Sequence, residues 1–261
     1  MNILFVAAGV LLITGASFLW WMYLEAQRNN VLEHRFTFSE LPGSFGQVRI
    51  FFISDLHRRL VAKEIVEQAK GRADLVVIGG DLREQGVPLE RVAENLKRLR
   101  EIGPLYFVWG NNDYEDDYHE LDALLLDHKV TILANTRALF ESGAGDKLLL
   151  MGVDDIGVGR DRLDLALEDC EEEGFRILVS HSPEIMHQLS GTERISLVLS
   201  GHTHGGQIRL LPSRRHMKGG VYTYGNTKLL LSNGYGTTLV PLRFRARPQT
   251  HVVILETKHS R

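Results

Sequence analysis

Five short apolar runs in this chain each stop on an acid, an amide or a histidine, and that pattern restricts the fold more than any other feature. Val48–Ile53 runs into Ser54-Asp55-Leu56-His57, Leu75–Ile78 into Gly79-Gly80-Asp81, and Leu105–Trp109 into Gly110-Asn111-Asn112-Asp113. Ile177–Val179 runs into Ser180-His181-Ser182-Pro183, and Ile195–Leu199 into Ser200-Gly201-His202-Thr203-His204-Gly205-Gly206-Gln207. Short apolar runs bounded by turn residues read as buried strands. Val61, Ile65, Val66 and Ala69 lie at helical spacing after the first run, and Leu89, Val92, Ala93, Leu96 and Leu99 after the second. The resulting β-α-β-α-β order predicts a sheet with parallel strands, whose ligand sites lie beyond the carboxyl ends of the strands.

The residues at those ends are the types that hold divalent metals. Singly, each has a plainer explanation: an Asp after a strand caps a helix, a loop histidine bonds to backbone, and glycines make turns. Their joint occurrence at successive strand ends points to one metal constellation. In this order the blocks resemble the calcineurin-like metallophosphoesterases, whose motifs read Asp-x-His, Gly-Asp, Gly-Asn-His-Asp/Glu, a lone His and Gly-His-x-His. The resemblance covers roughly residues 35–256 and is closest to the membrane-anchored bacterial branch. Members of that branch pair Gly-His-Thr-His-Gly-Gly-Gln with a closing Gly-x-Gly and Pro-x-Arg, here Gly234-Tyr235-Gly236 and Pro241-Leu242-Arg243.

The resemblance implies an α/β fold, a four-layer sandwich of two mixed sheets with helices outside. It also implies two divalent ions, manganese, iron or zinc. One would be held by Asp55, His57, Asp81 and His204, and the other by Asp81, Asn111, His181 and His202, with Asp81 bridging. Ions ~3.5–4 Å apart that share a carboxylate and a hydroxide supply a nucleophile near neutral pH and neutralise phosphoryl charge. The expected activity is hydrolysis of a phosphoric ester.

The chain departs from the motif at Asn112, where the family carries a histidine that protonates the leaving oxygen, steadied by the following acid, here Asp113. Asp81, Asn112 and Asp113 are the expected catalytic residues. An amide is not a general acid, and losing one removes ~10²–10⁴ in rate when the leaving group needs the proton. A departing phosphate hardly needs it, because its second pKa is about 6. Phosphodiester or pyrophosphate bonds are therefore expected, in a lipid-linked or nucleotide-linked substrate such as a UDP-diacylglucosamine-type pyrophosphate. Tyr114 and His119 lie close enough in sequence to substitute for the missing acid, although both read as ordinary loop residues. Arg209, Arg214 and Arg215, with His216 and Lys218, follow the histidine turn. They are the candidates for gripping a second phosphate or a lipid headgroup, set against a solvated loop. Arg243, Arg245 and Arg247 alternate with Phe244 and Ala246 as on an edge strand. Two rival readings stay open, a phosphomonoesterase acting on protein or nucleotide, and a non-catalytic metal-bound scaffold.

Residues Ile3–Leu24 carry no charge and as a helix would extend ~33 Å, enough to cross a hydrocarbon core. Trp20, Trp21 and Tyr23 stand at the far end, where aromatics favour the headgroup level. The run lacks a basic leader and a small-x-small cleavage site, so a retained single-pass anchor is expected in place of a signal peptide. Arg28 and Arg35 follow the span and no basic residue precedes it within the chain, which places the catalytic domain in the cytoplasm. The expected organisation is an anchor over 1–27, a linker over 28–34 and a catalytic domain over 35–261. A net charge of −3 without a basic stripe gives no reason to expect nucleic acid as a partner. Cys170, the single cysteine, excludes an intrachain disulfide and a Cys-based zinc site, and its apolar neighbours make it a core residue.

Overall fold

The computed structural model describes residues 2–168, 174–209 and 217–258. Helix α1, Asn2–Ala26, leads into β1, Val31–Phe38, and β2, Gln47–Ile53. Helix α2, Lys63–Ala69, β3, Leu75–Gly79, α3, Leu89–Arg100, β4, Leu105–Val108, α4, Tyr118–Asp127, and β5, Thr131–Ile132, complete the first half. The second half contains β6, Thr136–Glu141, β7, Lys147–Gly152, α5, Leu163–Leu167, β8, Phe175–Val179, and β9, Ile195–Ser200. It closes with β10, Gly220–Tyr224, β11, Thr227–Leu231, and β12, Thr250–Thr257.

The strands form two six-stranded mixed sheets, in the orders β1-β12-β2-β3-β4-β5 and β10-β11-β9-β8-β7-β6. Strands β2 to β5 run parallel, as do β7, β8, β9 and β11. Side chains alternate across each sheet, as a period of two requires. Phe51, Ile53, Val76 and Ile78 face α2, α3 and α4, while Ile50, Phe52, Leu75 and Val77 face the second sheet. Leu148 and Leu150 meet them across the interface, and Leu149 and Met151 point outward to α5. Two sheets between helical layers give the expected four-layer sandwich. Both faces of the central strands are covered, which is why they read as unbroken apolar runs. Truncating a fully buried inter-sheet ring such as Phe52 costs about 3–5 kcal/mol.

Strand β1 starts at Val31 and pairs in parallel with β12, so four residues of the expected 28–34 linker belong to the sheet. A 3-10 turn, Pro183–His187, follows the β8 loop, with Ser182 capping it by accepting from Glu184 N. Arg243–Arg247 forms no strand; a single bridge joins Phe244 to Ile208. Cys170 lies outside the described residues, as do Arg214, Arg215 and His216. Helix α1 is a candidate membrane span by length and apolarity, with a mean hydropathy of 2.2 over its apolar window.

Candidate metal centre

The loops that leave β2, β3 and β4 of one sheet and β8 and β9 of the other converge above the strand ends. The side chains of Asp55, His57, Asp81 and His204 meet there, each buried, with one ligand atom from each within 4.8 Å of the others. His57 Nε2 stands 3.0 Å from His204 Nε2. His204 Nε2 is 3.4 Å from Asp55 Oδ1, and His57 Nε2 is 3.6 Å from Asp81 Oδ2. Two ring nitrogens aimed at each other beside two buried carboxylates are poorly satisfied by themselves and well satisfied by a divalent cation. These four residues form a metal-binding group.

A second cluster shares Asp81. His181 Nε2 lies 3.3 Å from Asp81 Oδ2 and 3.2 Å from His202 Nδ1. His181 Nδ1 contacts the Gly79 carbonyl at 2.8 Å, so it carries the proton and leaves Nε2 free to bind. Asn111 Oδ1 is buried and has no hydrogen-bond partner, an unusual state for an amide oxygen. Asp81 Oδ2 thus faces a histidine of each cluster, while its Oδ1 accepts from Asn112 N at 2.9 Å. Burial works against charge on His181, but the adjacent Asp81 carboxylate outweighs it and pushes the imidazole up to about 10, so that without a cation Nε2 holds a proton that a bound ion would displace. Burial and the neighbouring His57 and Arg243 hold His204 well below its ordinary value, in the neutral form that a ligand needs.

Several residues support the clusters in roles that the sequence did not assign to them. Glu84 Oε2 lies 3.1 Å from His57 Nδ1, on the side of the ring away from the cluster, and orients it as carboxylates behind metal-binding histidines do. Asp155, at the loop after β7, is buried beside Asn111 with Oδ2 unpartnered; a strand end carrying an acid was the available clue. Arg243, expected on a wet edge, is fully buried. Its guanidinium donates to the carbonyls of His204, Asn233, Gly234, Gly236 and Ala246, tying the histidine turn to the closing segment. Gly234-Tyr235-Gly236 clamps the Asp55 loop, with Tyr235 N donating to Ser54 O at 2.9 Å and Gly236 N to Asp55 O at 2.6 Å. Gly234 has φ +74, and a Cβ there would stand 2.6 Å from Asp55 Cβ, so only glycine fits.

The cluster opens into a cleft of ≈ 830 Å³ lined by Asp81, Asn111, Asn112, His202, Ile208 and Leu239 among others. Asn112 stands on its wall, and its Nδ2 donates to Glu115 Oε1 at 2.6 Å. Asp113 is placed differently from expectation. Fully buried, it accepts from the backbone N–H of Asp81 and Gly110, both at 2.9 Å, and of Arg83 at 3.0 Å. It braces the Asp81 loop and makes no hydrogen bond to the Asn112 side chain, because the carboxylate turns inward to unsatisfied backbone donors. Neither substitute acid lines the cleft: the Tyr114 hydroxyl donates to Asp154 Oδ1 at 2.6 Å, and the His119 ring lies tilted against Tyr118. Among the described lining residues, His187 is the one histidine outside the two clusters. Arg209 donates to the Gly205 carbonyl at 3.0 Å and is not on the cleft wall.

Comparison with known proteins agrees with this geometry. Residues 48–206 match the model of the calcineurin-like phosphoesterase family. The chain is 44% identical over 250 residues to an uncharacterised Bacillus subtilis (strain 168) protein, YpbG, covering 95% of this chain and 96% of that one. It is 25% identical to the phosphodiesterase YaeI of Escherichia coli (strain K12), over 96% of each chain. The fold superposes on the Thermus thermophilus sulfate thiohydrolase SoxB with a TM-score of 0.54 at 14% identity, covering 81% of this chain and 57% of that one. Matched across a span that contains the residues of both clusters, the chain belongs to the calcineurin-like phosphoesterase family and is a metal-dependent phosphoric ester hydrolase.

Proposed function

We propose that this protein holds two divalent ions and hydrolyses a phosphodiester or pyrophosphate bond in a lipid-linked or nucleotide-linked substrate, while α1 anchors it in a membrane. The observation that carries the two-ion reading is the position of Asp81 Oδ2, faced by His57 at 3.6 Å and by His181 at 3.3 Å. Asp55, His57, Asp81 and His204 hold one ion, and Asp81, Asn111, His181 and His202 the other, the orphaned Asn111 oxygen completing the second set. Mixed oxygen and nitrogen donors suit manganese, iron or zinc. When bound, such ions activate water and neutralise charge on the phosphoryl oxygens. The protein holds the ligands in place through Glu84 behind His57, the Gly79 carbonyl behind His181 and Arg243 under the histidine turn.

Asn112, on the cleft wall, is read as a hydrogen-bond donor to a phosphoryl oxygen with no proton to give a leaving alkoxide, which favours substrates whose leaving group is already a weak base. The phosphodiesterase relative supports the same bond class. The test is metal content and rate on one preparation: full-length protein in detergent, stripped with chelator and reloaded with manganese. It should regain two ions per chain and hydrolyse an aryl phosphodiester and a nucleotide pyrophosphate much faster than an alkyl phosphomonoester. A reloaded protein with one ion per chain, or with no preference among leaving groups, contradicts the proposal.

A further inference from the structure

The segment 236–247 has one side on the metal cleft and the other on α1. On the cleft side, Gln207, the last residue of the histidine turn, donates from Nε2 to the carbonyls of Thr238 at 2.9 Å and Val240 at 3.0 Å, and its Oε1 accepts from Thr238 N at 3.0 Å. On the other side, Arg243 N donates to the Met22 carbonyl at 3.1 Å, and Arg247 Nε pairs with Glu25 Oε1 at 2.5 Å. Phe244 takes the rings of Phe18 and Trp21 edge-on, at 5.4 and 6.0 Å between centroids. Met22 and Ala26 are buried against the domain, and Arg59 NH2 donates to the carbonyls of Gln27 and Arg28. The helix therefore leaves the domain through a packed joint, and its direction is fixed relative to the cleft.

At the cleft rim this segment presents Leu239, 97% exposed, with Val240 exposed beside it. Leu239 sits at φ +61 at the tip of a three-residue turn closed by Val240 N to Thr238 O at 2.7 Å. A γ-branched apolar side chain held in the left-handed region and aimed into solvent is unfavourable in water on both counts. Ile208 and Met217 line the same cleft. Trp20, Trp21 and Tyr23 mark the end of α1 that docks here, and aromatics of a spanning helix settle at headgroup level. Trp21 touches Phe244, four residues from Val240, so the level of the aromatic belt is close to the level of the rim.

We infer that the Leu239–Val240 tip is a membrane-contact surface, inserted into the phospholipid leaflet that receives the end of α1, so that the metal cleft opens at the level of the lipid phosphates. The occupant of the apolar rim is the lipid leaflet itself, continuous with the surface α1 already occupies. This rests on the proposed anchoring by α1, and the experiment separates the two.

Full-length protein carrying Cys170→Ser is given one new cysteine, labelled with an environment-sensitive fluorophore and placed in phosphatidylcholine–phosphatidylglycerol nanodiscs containing doxyl lipids. The labels go at Leu239→Cys, at Val240→Cys as a second tip position, at Ile13→Cys within α1, and at Leu139→Cys on the exposed edge strand β6. An inserted tip lies ~5–10 Å into the interface, so labels at 239 and 240 lose most of their fluorescence to doxyl groups while the label at 139 loses almost none. If the label at 13 is quenched and both tip labels stay as bright as that at 139, the tip does not insert and the inference falls while the anchor stands. If the label at 13 is not quenched either, the anchoring falls with it.

Discussion

Asp113→Asn tests whether the acid after Asn112 acts on protons or on backbone. The carboxylate is fully buried and accepts three backbone N–H groups, two on Oδ2 and one on Oδ1. An amide has one oxygen, which stays with the two donors of Asp81 and Gly110; its NH2 then faces Arg83 N–H. One charge-assisted bond is lost and one buried donor is left without a partner, together about 2–3 kcal/mol. At about 2–4 °C per kcal/mol for a domain of this size, the melting temperature falls by about 4–12 °C. Because the lost bond to Arg83 N pins the loop that carries Asp81, metal content falls too, and hydrolysis drops by a similar factor for every substrate. The assay is thermal melting followed by circular dichroism, with metal analysis and rates for a pyrophosphate and an alkyl monoester on the same preparation. An unchanged melting temperature and metal content, with activity lost only on the alkyl ester, would refute the bracing role and return Asp113 to proton chemistry.

Asp81→Ala should abolish hydrolysis and leave fewer than two ions per chain by metal analysis, since one carboxylate serves both clusters. Asn112→His should raise the slow alkyl monoester rate more than the pyrophosphate rate at saturating manganese; the carboxylate within its reach is Glu115, which now accepts from Asn112. Gly234→Ala should cost about 2–4 kcal/mol in denaturant titration, from the left-handed backbone and the Cβ forced against Asp55, and should lower activity with it. Protein recovered from cells should keep its first residues and stay with membranes after an alkaline wash, as N-terminal sequencing and fractionation would check.

What the sequence disclosed and what it hid divide along chain distance. The proposed ligands Asp55, Asp81, Asn111, His181 and His204 each follow their own buried strand, so apolar run and polar stop are read within ten residues. The groups that orient them come from elsewhere. Glu84 reaches His57 from the next strand's loop, and Arg243 reaches His204 across 39 residues with five carbonyls that carry no residue-type signal at all. Alternation with Phe244 made Arg243 look like a solvated edge position, yet its guanidinium replaces sheet bonding by satisfying loop carbonyls. Asp113 was legible as part of a motif and misplaced in role, because a carboxylate's direction depends on which backbone donors lie unsatisfied behind it.

The backbone explains why four of the seven proposed ligands come in two pairs spaced by one residue. Asp55, His57, Asp81, His202 and His204 all have φ between +49 and +72, a region costly for residues other than glycine. In an extended strand two residues apart point the same way but ~6.6 Å apart along the chain, too far for ligand atoms to meet at one ion. Turning both into the left-handed region folds Asp55-Leu56-His57 back on itself toward one cluster, and the same turn in His202-Thr203-His204 delivers one histidine to each cluster. The strain is held by bonds that the strand ends provide: Asp55 N to Gly80 O at 3.0 Å, and Leu56 N and His57 N to Asp81 O at 2.8 and 3.1 Å. Each strained loop is therefore braced by another loop that carries a ligand, and Gly234-Tyr235-Gly236 closes the ring from the far side. Loss of one brace loosens ligands of both clusters, so second-layer substitutions here should reduce metal content and stability together.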